Sequence, residues 1–573
     1  MDISMDQFSS QAAVDMEIES LQGQRQDLLE QLKVISSQIC DLKSRRNEFC
    51  PISRLPKEVL HKIFLHLSPT QLAASEPTSD GPSYSTIVCV TRVCRYWKKV
   101  ALNQPELWTY VSDYKSEAIR TLLMRSKTAP LDICLDRGSR GSNERWIQKA
   151  LATRTIRSLS MRELFHHLTP RLKKLPPAAP VLHTLILHNN DPFTRARDTR
   201  LPELFQEGAP LLRKVSLFSC HLPWTSPLLE GLTSLRMLDR NAFKYPPPSP
   251  GVFLDALEKM PDLVELSLYV PIPDLDDQAT RLHRVVALPR LRRLEFWGSI
   301  KQCHDLLQHV VIPESATIEL TVDTEEADPL PLPLVPRRLV ESPQTSSPAE
   351  IKTPQISFSE ATPQSLEIEQ DGVLHFYVWT DRHDVASFPI KRDCYVLYRS
   401  VLDIPAIQSL PAWSIRSLRL QNYADYHGHL GHILRVLVAA EDVFVSERVV
   451  LAVVTALQRD PGLSDPTVPR PLEYLPALKT LVFESVVNAD GFRCVDIRDE
   501  SPRPIKLDVL YKMLKGREDS GARLEKLVFQ RAYNMTRGAV DELAGVVGEV
   551  VWDGVEDRSP CVSRLGDECP CRQ

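Results

Sequence analysis

The apolar residues at the start of the chain recur with the spacing of amphipathic helices. Between residues 14 and 42 they alternate in steps of four and three, and only Arg25 interrupts the series. The apolar members are Val14, Ile18, Leu21, Leu28, Leu32, Ile35, Ile39 and Leu42. This is the seam spacing of a coiled coil. We therefore predict a heptad helix within residues 1–48, after a disordered start. Its stripe either folds back on its own protein or pairs with another chain.

Two shorter amphipathic helices are predicted next. The stretch "ISRLPKEVLHKIFLHL" begins at Ile52 and places Pro56 where the first turn of a helix tolerates proline. One apolar face follows at i, i+3, i+4 and i+7, formed by Leu60, Ile63, Phe64 and Leu67. After a polar loop, "VTRVCRYWKKVALNQPELWTYV" predicts a second helix with a face of Val90, Val93, Cys94, Trp97, Val100 and Ala101. Helices this short do not close a core alone, so we expect a partner.

Behind these helices the pattern changes to the period of two that is typical of strands. The unit apolar-x-x-apolar-x-apolar recurs as "IRSLSM", "LHTLIL", "LRKVSL", "LTSLRM", "LVELSL" and "LRRLEF" within residues 113–326. It resumes within residues 366–556 as "IRSLRL", "LKTLVF", "LEKLVF" and "VGEVVW", with weaker strands near "VLHFYVW" and "AEDVFV". Residues 327–365, rich in Pro, Ser and Thr, are predicted to be a disordered insertion, and residues 557–573 a disordered tail.

The repeat predicts an α/β fold in which short strands alternate with helices and stack serially. A strand and a helix recurring every 20–30 residues are typical of a leucine-rich-repeat solenoid with a parallel sheet. The copies here are degenerate, because their spacing is irregular. Alternation predicts that one set of side chains is buried, namely Leu185, Leu187, Leu266, Leu268, Leu294 and Phe296. The intervening Ile186, Ser267 and Glu295 should point to the opposite, concave face.

Composition narrows the functional classes. The formal net charge of −5 over 573 residues gives no footprint for nucleic acid. No window approaches the roughly 18 apolar residues of a membrane span, and the acidic N-terminus lacks the apolar core of a signal peptide. Most of the 12 cysteines lie apart in apolar runs, as free thiols do in a reducing compartment. We therefore expect an intracellular protein of the cytoplasm, the nucleus or both.

Candidate chemistry is sparse. The sequence contains no Gly-x-x-x-x-Gly-Lys-Ser/Thr loop and no His-Glu-x-x-His pair, so neither a cofactor, a metal nor an enzyme activity is predicted. The insertion contains four Ser/Thr-Pro pairs, at Ser342, Ser347, Thr353 and Thr362. Phosphorylation there would add about −1.5 to −2 charges per site, although any linker of this composition contains such pairs.

The paired helices carry a family resemblance. Leu55-Pro56-Lys57-Glu58 opens the first helix and Val93-Cys94-Arg95-Tyr96-Trp97 lies in the second, and the two in this order resemble an F-box over residues 50–112. The heptad helix before it and the "LLMRSKTAPLDICLD" stretch after it are similar to those of the large group of fungal F-box proteins. The loop between the two helices is longer than in the minimal motif.

The resemblance implies a non-catalytic substrate adaptor of a cullin–RING ubiquitin ligase. The F-box would dock on a Skp-type adaptor, which bridges to the cullin, and the repeats would bind an unknown protein substrate. The docking residues it implies are Ile52, Leu55, Pro56, Glu58, Leu60, Ile63, Phe64, Leu67, Val90, Val93, Cys94, Trp97 and Trp108. The alternative is a non-degradative scaffold that uses the solenoid and the heptad helix.

Overall fold

The computed structural model describes the chain in two compact units. The first comprises Met1–Thr184 with Pro202–Leu211, and the second Leu185–Leu201 with Leu212–Gln573. The described residues are 4–66, 84–112, 116–136, 144–190, 200–239, 246–275, 284–313, 315–322, 337–339, 358–360, 364–370, 374–379, 381–384, 394–398, 414–421, 430–446, 449–460, 471–484, 505–530, 532 and 535–556.

The first unit begins with helices and then alternates helix and strand. Its helices are α1 (Ser4–Glu48), α2 (Lys57–His66), α3 (Tyr84–Val93), α4 (Arg95–Leu102), α5 (Ser116–Arg125), α6 (Glu144–Thr153) and α7 (Phe165–Leu172). Its strands are β1 (Tyr110–Ser112), β2 (Leu131–Asp136) and β3 (Ile156–Glu163). β2 pairs in parallel with both β1 and β3. The predicted N-terminal heptad helix is thus a single continuous α-helix. It begins at Ser4, so the disordered start predicted before the heptad is wrong for the described residues.

The second unit carries most of the strand repeats, after the first copy in β3. They are β4 (Thr184–Asn189), whose residues from Leu185 on belong to it, β5 (Lys214–Phe218), β6 (Ser234–Leu238), β7 (Glu265–Tyr269), β8 (Val286–Ala287), β9 (Arg293–Gly298), β10 (Val310–Ile312) and β11 (Thr317–Val322). Then come β12 (Arg337–Leu339), β13 (Phe358–Glu360), β14 (Ser365–Gln370), β15 (Leu374–Trp379), β16 (Cys394–Tyr398), β17 (Ser417–Gln421), β18 (Asp442–Val445), β19 (Thr480–Glu484), β20 (Lys526–Gln530) and β21 (Glu549–Trp552).

Helices separate several of these strands. They are α8 (Pro250–Glu258), α9 (Ile300–His309), α10 (Leu430–Val436), α11 (Val450–Gln458), α12 (Leu507–Asp519) and α13 (Arg537–Ala544). Local sequence explains the starts of α8 and α9. The Ser249 side chain caps α8 by accepting from the Val252 amide, and Ser299 with Gln302 forms a capping box at α9. Strand followed by helix is the predicted repeat unit.

Hydrogen bonding joins 13 of the strands between β5 and β21 into one sheet. The spatial order is β5-β6-β7-β9-β11-β16-β15-β14-β17-β18-β19-β20-β21. Every one of these pairings is parallel except the two made by β15, which runs opposite to β14 and β16. The serial stacking is therefore interrupted once, where three strands enter the sheet in reversed spatial order.

The predicted alternation of buried positions is confirmed. Register places Val215, Leu235, Leu266, Leu294 and Ile318 opposite one another on successive strands. All of them are at most 1% exposed, as are Leu268 and Phe296 two residues further on. Leu185 and Leu187 of β4 are buried in the same way. The core of the sheet is thus the row of leucines that the repeat predicts.

The predicted insertion is only partly irregular. Within residues 327–365, β12 and β13 pair in antiparallel fashion with Leu339 opposite Phe358. β12 also pairs in parallel with β10, and β10 with β8, so these four strands form a separate small sheet. The disorder prediction is therefore wrong for these two strands, because short strands gain stability from partners that local composition does not reveal. Ser342, Ser347, Thr353, Thr362 and the tail 557–573 lie outside the described residues.

None of the described helices is both long enough and apolar enough to cross a bilayer. Nor does the described part of the chain bring three or more His, Cys, Asp or Glu side chains together in an arrangement able to hold a metal ion.

Candidate functional site

The paired helices form their own small core with the segment that follows them. Leu60 and Phe64 lie one turn apart on α2 and are 0% and 2% exposed. They join Val100 and Ala101 of α4 and Leu107 and Trp108 of the 3-10 turn Pro105–Trp108. The remaining buried members are Ile87 and Val90 of α3 and Leu122 of α5. The apolar faces of the two short helices, which were expected to need a partner, are thus covered in part by α5 and this turn of the same chain.

The second predicted helix is in fact two helices, α3 and α4, separated by Cys94. Cys94 has an extended backbone, with φ −156° and ψ 168°. Its Sγ accepts a hydrogen bond from the Trp97 amide at 3.4 Å, which is the position of an N-cap. The prediction of one continuous helix through Cys94 is wrong, because the extended backbone at Cys94 interrupts the helix and its side chain caps the start of α4.

Three aromatic residues hold the helices together. The Trp108 side chain is fully buried, donates from Nε1 to the Ala101 carbonyl at 2.9 Å, and lies under the Arg125 guanidinium at 4.4 Å from the ring centroid. Phe64 and Trp97 have ring centroids 5.0 Å apart at an angle of 56°. Such aromatic pairs add about 0.5–1.5 kcal/mol beyond the burial of their area.

The structure sorts the predicted docking residues by exposure. Buried in the core are Leu60, Phe64, Val90 and Trp108. Half-buried are Leu55, Cys94 and Trp97. Exposed are Ile52, Pro56, Glu58, Ile63 and Val93. Leu67 lies outside the described residues. The single apolar face predicted for α2 is therefore divided, with Leu60 and Phe64 facing inward and Ile63 facing outward.

Two exposed apolar residues of these helices were not among the predicted docking residues. Val59 is 40% exposed and lies one turn before Ile63, which is 38% exposed, so the two share one face of α2. Tyr96 is 37% exposed and donates its hydroxyl to the Leu55 carbonyl at 3.2 Å, which ties α4 to the start of α2. The i, i+4 spacing of Val59 and Ile63 was the available signal. Ile52, at 43%, and Val93, at 59%, extend the exposed apolar surface.

Charged side chains border this surface. Arg92, Arg95, Lys98 and Lys99 are exposed on α3 and α4. Arg95 forms an exposed ion pair with Asp41 near the end of α1, which is a contact between the heptad helix and α4. On the other side, His61 Nε2 lies 3.5 Å from a carboxylate oxygen of Glu106.

This geometry agrees with a comparison against protein families. Residues 52–113 match the F-box-like family. The F-box-like domain thus extends from the 3-10 turn Pro51–Arg54 to the end of β1, and it includes the whole buried core except Leu122. Among curated proteins, no sequence matches the chain significantly.

The second unit offers a different candidate surface, on the side of the sheet opposite the leucine core. Ser267 and Glu295 occupy adjacent strands on this side, as predicted, but Ser267 is only 2% exposed. Its hydroxyl donates a hydrogen bond to Glu295 at 2.7 Å. Arg236 and Arg293 lie 3.9 and 3.7 Å from the same carboxylate. A hydrogen bond and ion pairs therefore join the side chains on this part of the face into a polar network.

Further along the sheet the same face becomes apolar. Phe444 and Val482 of β18 and β19 form a separate small cluster with Val528 of β20. The Arg419 guanidinium lies over the Phe444 ring, 4.6 Å from its centroid. The side of the sheet opposite the leucine core thus changes from charged to apolar, and Phe444 and Val482 in its apolar part are buried. A repeat pattern alone does not reveal this change.

Proposed function

We propose that the chain is a substrate-recognition adaptor of a Skp–cullin–F-box ubiquitin ligase. The observation that carries this proposal is the F-box-like match at residues 52–113. An F-box-like domain suggests this role, and F-box proteins are generally non-catalytic. In this function the chain acts by proximity, because it holds a substrate near the transferring enzyme and makes the encounter effectively intramolecular.

Exposed apolar residues of the turn Pro51–Arg54, of α2 and of the α3–α4 junction are the proposed contacts with the Skp-type adaptor. They are Ile52, Val59, Ile63, Val93 and Tyr96. The buried Leu60, Phe64, Val90 and Trp108 act indirectly, because they set the angle between the helices that present these contacts. Half-buried Leu55 and Trp97 lie between the two groups. Surfaces of this type gain affinity when apolar side chains leave water.

The substrate surface is proposed on the second unit, on the face opposite the leucine core. The polar network around Glu295 would give this face its chemistry, because the apolar cluster around Phe444 is buried. Repeat proteins use an extended strand-lined face for binding.

Affinity capture of the full chain with a Skp-type adaptor tests the docking proposal. Val59→Glu with Ile63→Glu places two charges on the exposed face of α2, so adaptor and cullin recovery should fall more than about tenfold. The matched control is Met124→Glu, because Met124 is equally apolar and is 63% exposed but lies outside residues 52–113. Unchanged capture by the double variant would overturn the docking proposal.

The second candidate is an interaction scaffold without degradation. The exposed apolar stripe of α1 favours it, because the docking proposal does not use that stripe. In this case the adaptor would co-purify without the cullin, or neither would be recovered. Ubiquitination of captured proteins in the presence of cullin would argue against a scaffold.

A further inference from the structure

The heptad seam of α1 is open to solvent along its whole length. Its apolar side chains from Val14 to Leu42 are between 45% and 64% exposed. α1 nevertheless runs as one helix from Ser4 to Glu48, through Gly23. A seam of this kind gains its stability from a second helix, because isolated helices draw little from propensity alone. The predicted alternative, in which the stripe folds back on its own chain, is not seen among the described residues.

The F-box-like domain is attached to a different side of α1. Asp41 pairs with Arg95, and Ser44 and Asn47 are partly covered on the same side. In the heptad frame, with Ile18 and Ile39 at position a, these three residues occupy positions c, f and b, on the outside of a coiled coil. A helix bound to the seam would therefore leave the contact with the domain intact.

The charges beside the seam are distributed asymmetrically. Asp15 and Glu17 flank it near its start, at heptad positions e and g, and Lys43 and Arg45 flank it near its end, at the same two positions. When two identical helices pack antiparallel, position e meets e and g meets g. Asp15 then faces Lys43 of the partner subunit and Glu17 faces Arg45 of the partner subunit. Symmetry repeats both pairs, so all of these charges are matched by opposite ones.

The parallel arrangement lacks this complementarity. In register it places Arg25, at position a, against Arg25 of the partner subunit in the middle of the seam. Position g then meets the following e, which sets Glu17 against a glutamine and Lys43 against another glutamine. In the antiparallel arrangement Arg25 faces Ile35 of the partner subunit, and two Leu29 side chains meet beside the central layers. Like charges in a seam destabilise it, so charge selects the antiparallel form.

We propose that α1 is a dimerisation helix that binds α1 of a second copy as an antiparallel coiled coil. Leu28 packs against Leu32 of the partner subunit at the centre, and Ile18 against Leu42 of the partner subunit at the ends. The paired span places the two F-box-like domains about 50 Å apart, at opposite ends of the coiled coil. The proposal is independent of adaptor docking, because it uses a different face of the chain.

Disulfide trapping of the full-length chain tests the orientation. In a background where the exposed Cys40, Cys50 and Cys89 are replaced by Ser, Leu29→Cys should form a covalent dimer under mild oxidation. Leu21→Cys is the matched control, because antiparallel packing holds its two copies about 27 Å apart whereas parallel packing brings them into contact. Trapping at Leu21 rather than Leu29 would overturn the proposal.

Charge reversal supplies a second, independent readout. Lys43→Glu with Arg45→Glu makes all four flanking pairs repulsive, and we expect the dissociation constant in sedimentation equilibrium to rise about tenfold or more. Adding Asp15→Lys and Glu17→Lys restores opposite charges and should restore the dimer. Circular dichroism checks that α1 stays helical in each variant. A monomeric parent chain at micromolar concentration, or no rescue by the combined variant, would refute antiparallel pairing.

Discussion

The rings of Phe64 and Trp97 lie 5.0 Å apart and connect α2 to α4. One ring is almost fully buried and the other is half-buried, so the pair extends from the core towards the proposed docking surface. Because the angle between α2 and α4 depends on this contact, the stability of the F-box-like domain and the shape of its surface are linked.

We expect Phe64→Ala to destabilise the F-box-like domain by about 3–5 kcal/mol, since it leaves a cavity beside Trp97 and Leu60. The measurement is hydrogen exchange of the amides in α2 and α4, because a chain with two units does not unfold in a single step. The matched control is Ile63→Ala, one residue earlier and exposed, which should cost much less. Equal loss of protection in both variants would show that the core does not depend on this pair.

A second prediction concerns the cap between α3 and α4. Cys94→Ala removes the Sγ that accepts from the Trp97 amide and should cost about 0.5–2 kcal/mol. Cys94→Ser keeps an acceptor at the same place, and its oxygen is the better N-cap, so stability should be equal or higher. Exchange rates of the first amides of α4 distinguish the two variants. A serine variant as unstable as the alanine variant would mean that sulfur packing, not the cap, matters.

Sequence pattern predicted the two amphipathic helices and most strands of the repeats, but not the boundaries set by single contacts. Period-two alternation identified Leu266 and Leu294 as buried because their strands pair in register with similar neighbours. Alternation did not reveal that β15 runs antiparallel to its neighbours, since the sequence of a strand does not specify which other strand it pairs with. The break at Cys94 escaped for a similar reason, because cysteine is a weak cap signal.

The third prediction compares substitutions on the two faces of the sheet. Leu294→Ala should destabilise the second unit by about 2–5 kcal/mol, because its side chain is 1% exposed in the leucine core. Glu295→Ala should also be costly, by about 1–3 kcal/mol, because it strips the Ser267 hydroxyl of its acceptor. Adding Ser267→Ala should recover part of that loss. Hydrogen exchange of the amides in β7 and β9 is measured in these three variants and in Ser267→Ala alone. Purely additive losses for Ser267 and Glu295 would argue against the bond.

The fourth prediction concerns acid sensitivity at the start of β18. Glu441 accepts hydrogen bonds from Arg382, Arg416 and Lys479, each at 3.2 Å. Burial acts to raise the pKa of Glu441, but the bonds from Lys479 and Arg382 outweigh it and hold that pKa below 4.5. A carboxylate with a lowered folded-state pKa contributes stability above its unfolded pKa, and that stability is lost as pH falls through the folded value.

Glu441→Gln should therefore reduce the free energy of unfolding at pH 7 by about 1 kcal/mol, a modest amount because the arginines are nearly half exposed. The difference from the parent chain should shrink below about pH 4.5 as the carboxylate is protonated. Hydrogen exchange of the amides in β17 to β19, corrected for the intrinsic pH dependence of exchange, gives the comparison across this range. The exposed control is Glu549→Gln, whose only ion pair among the described residues is with Lys526. A difference that stays constant down to pH 3 would contradict the charge-based origin.

The last prediction uses the pairing of β12 and β13. Leu339 lies opposite Phe358, so a two-residue turn can close these strands into a hairpin. We expect replacement of residues 340–357 by Asn-Gly to leave β8, β10, β12 and β13 assembled. Shortening the connection about ninefold also lowers its closure entropy, so stability should stay equal or rise by up to about 2 kcal/mol. The control deletion removes residues 337–360, and with them both strands, and should expose the free edge of β10 to hydrogen exchange. Loss of protection in β10 with the short turn as well would mean that the removed residues support the small sheet directly.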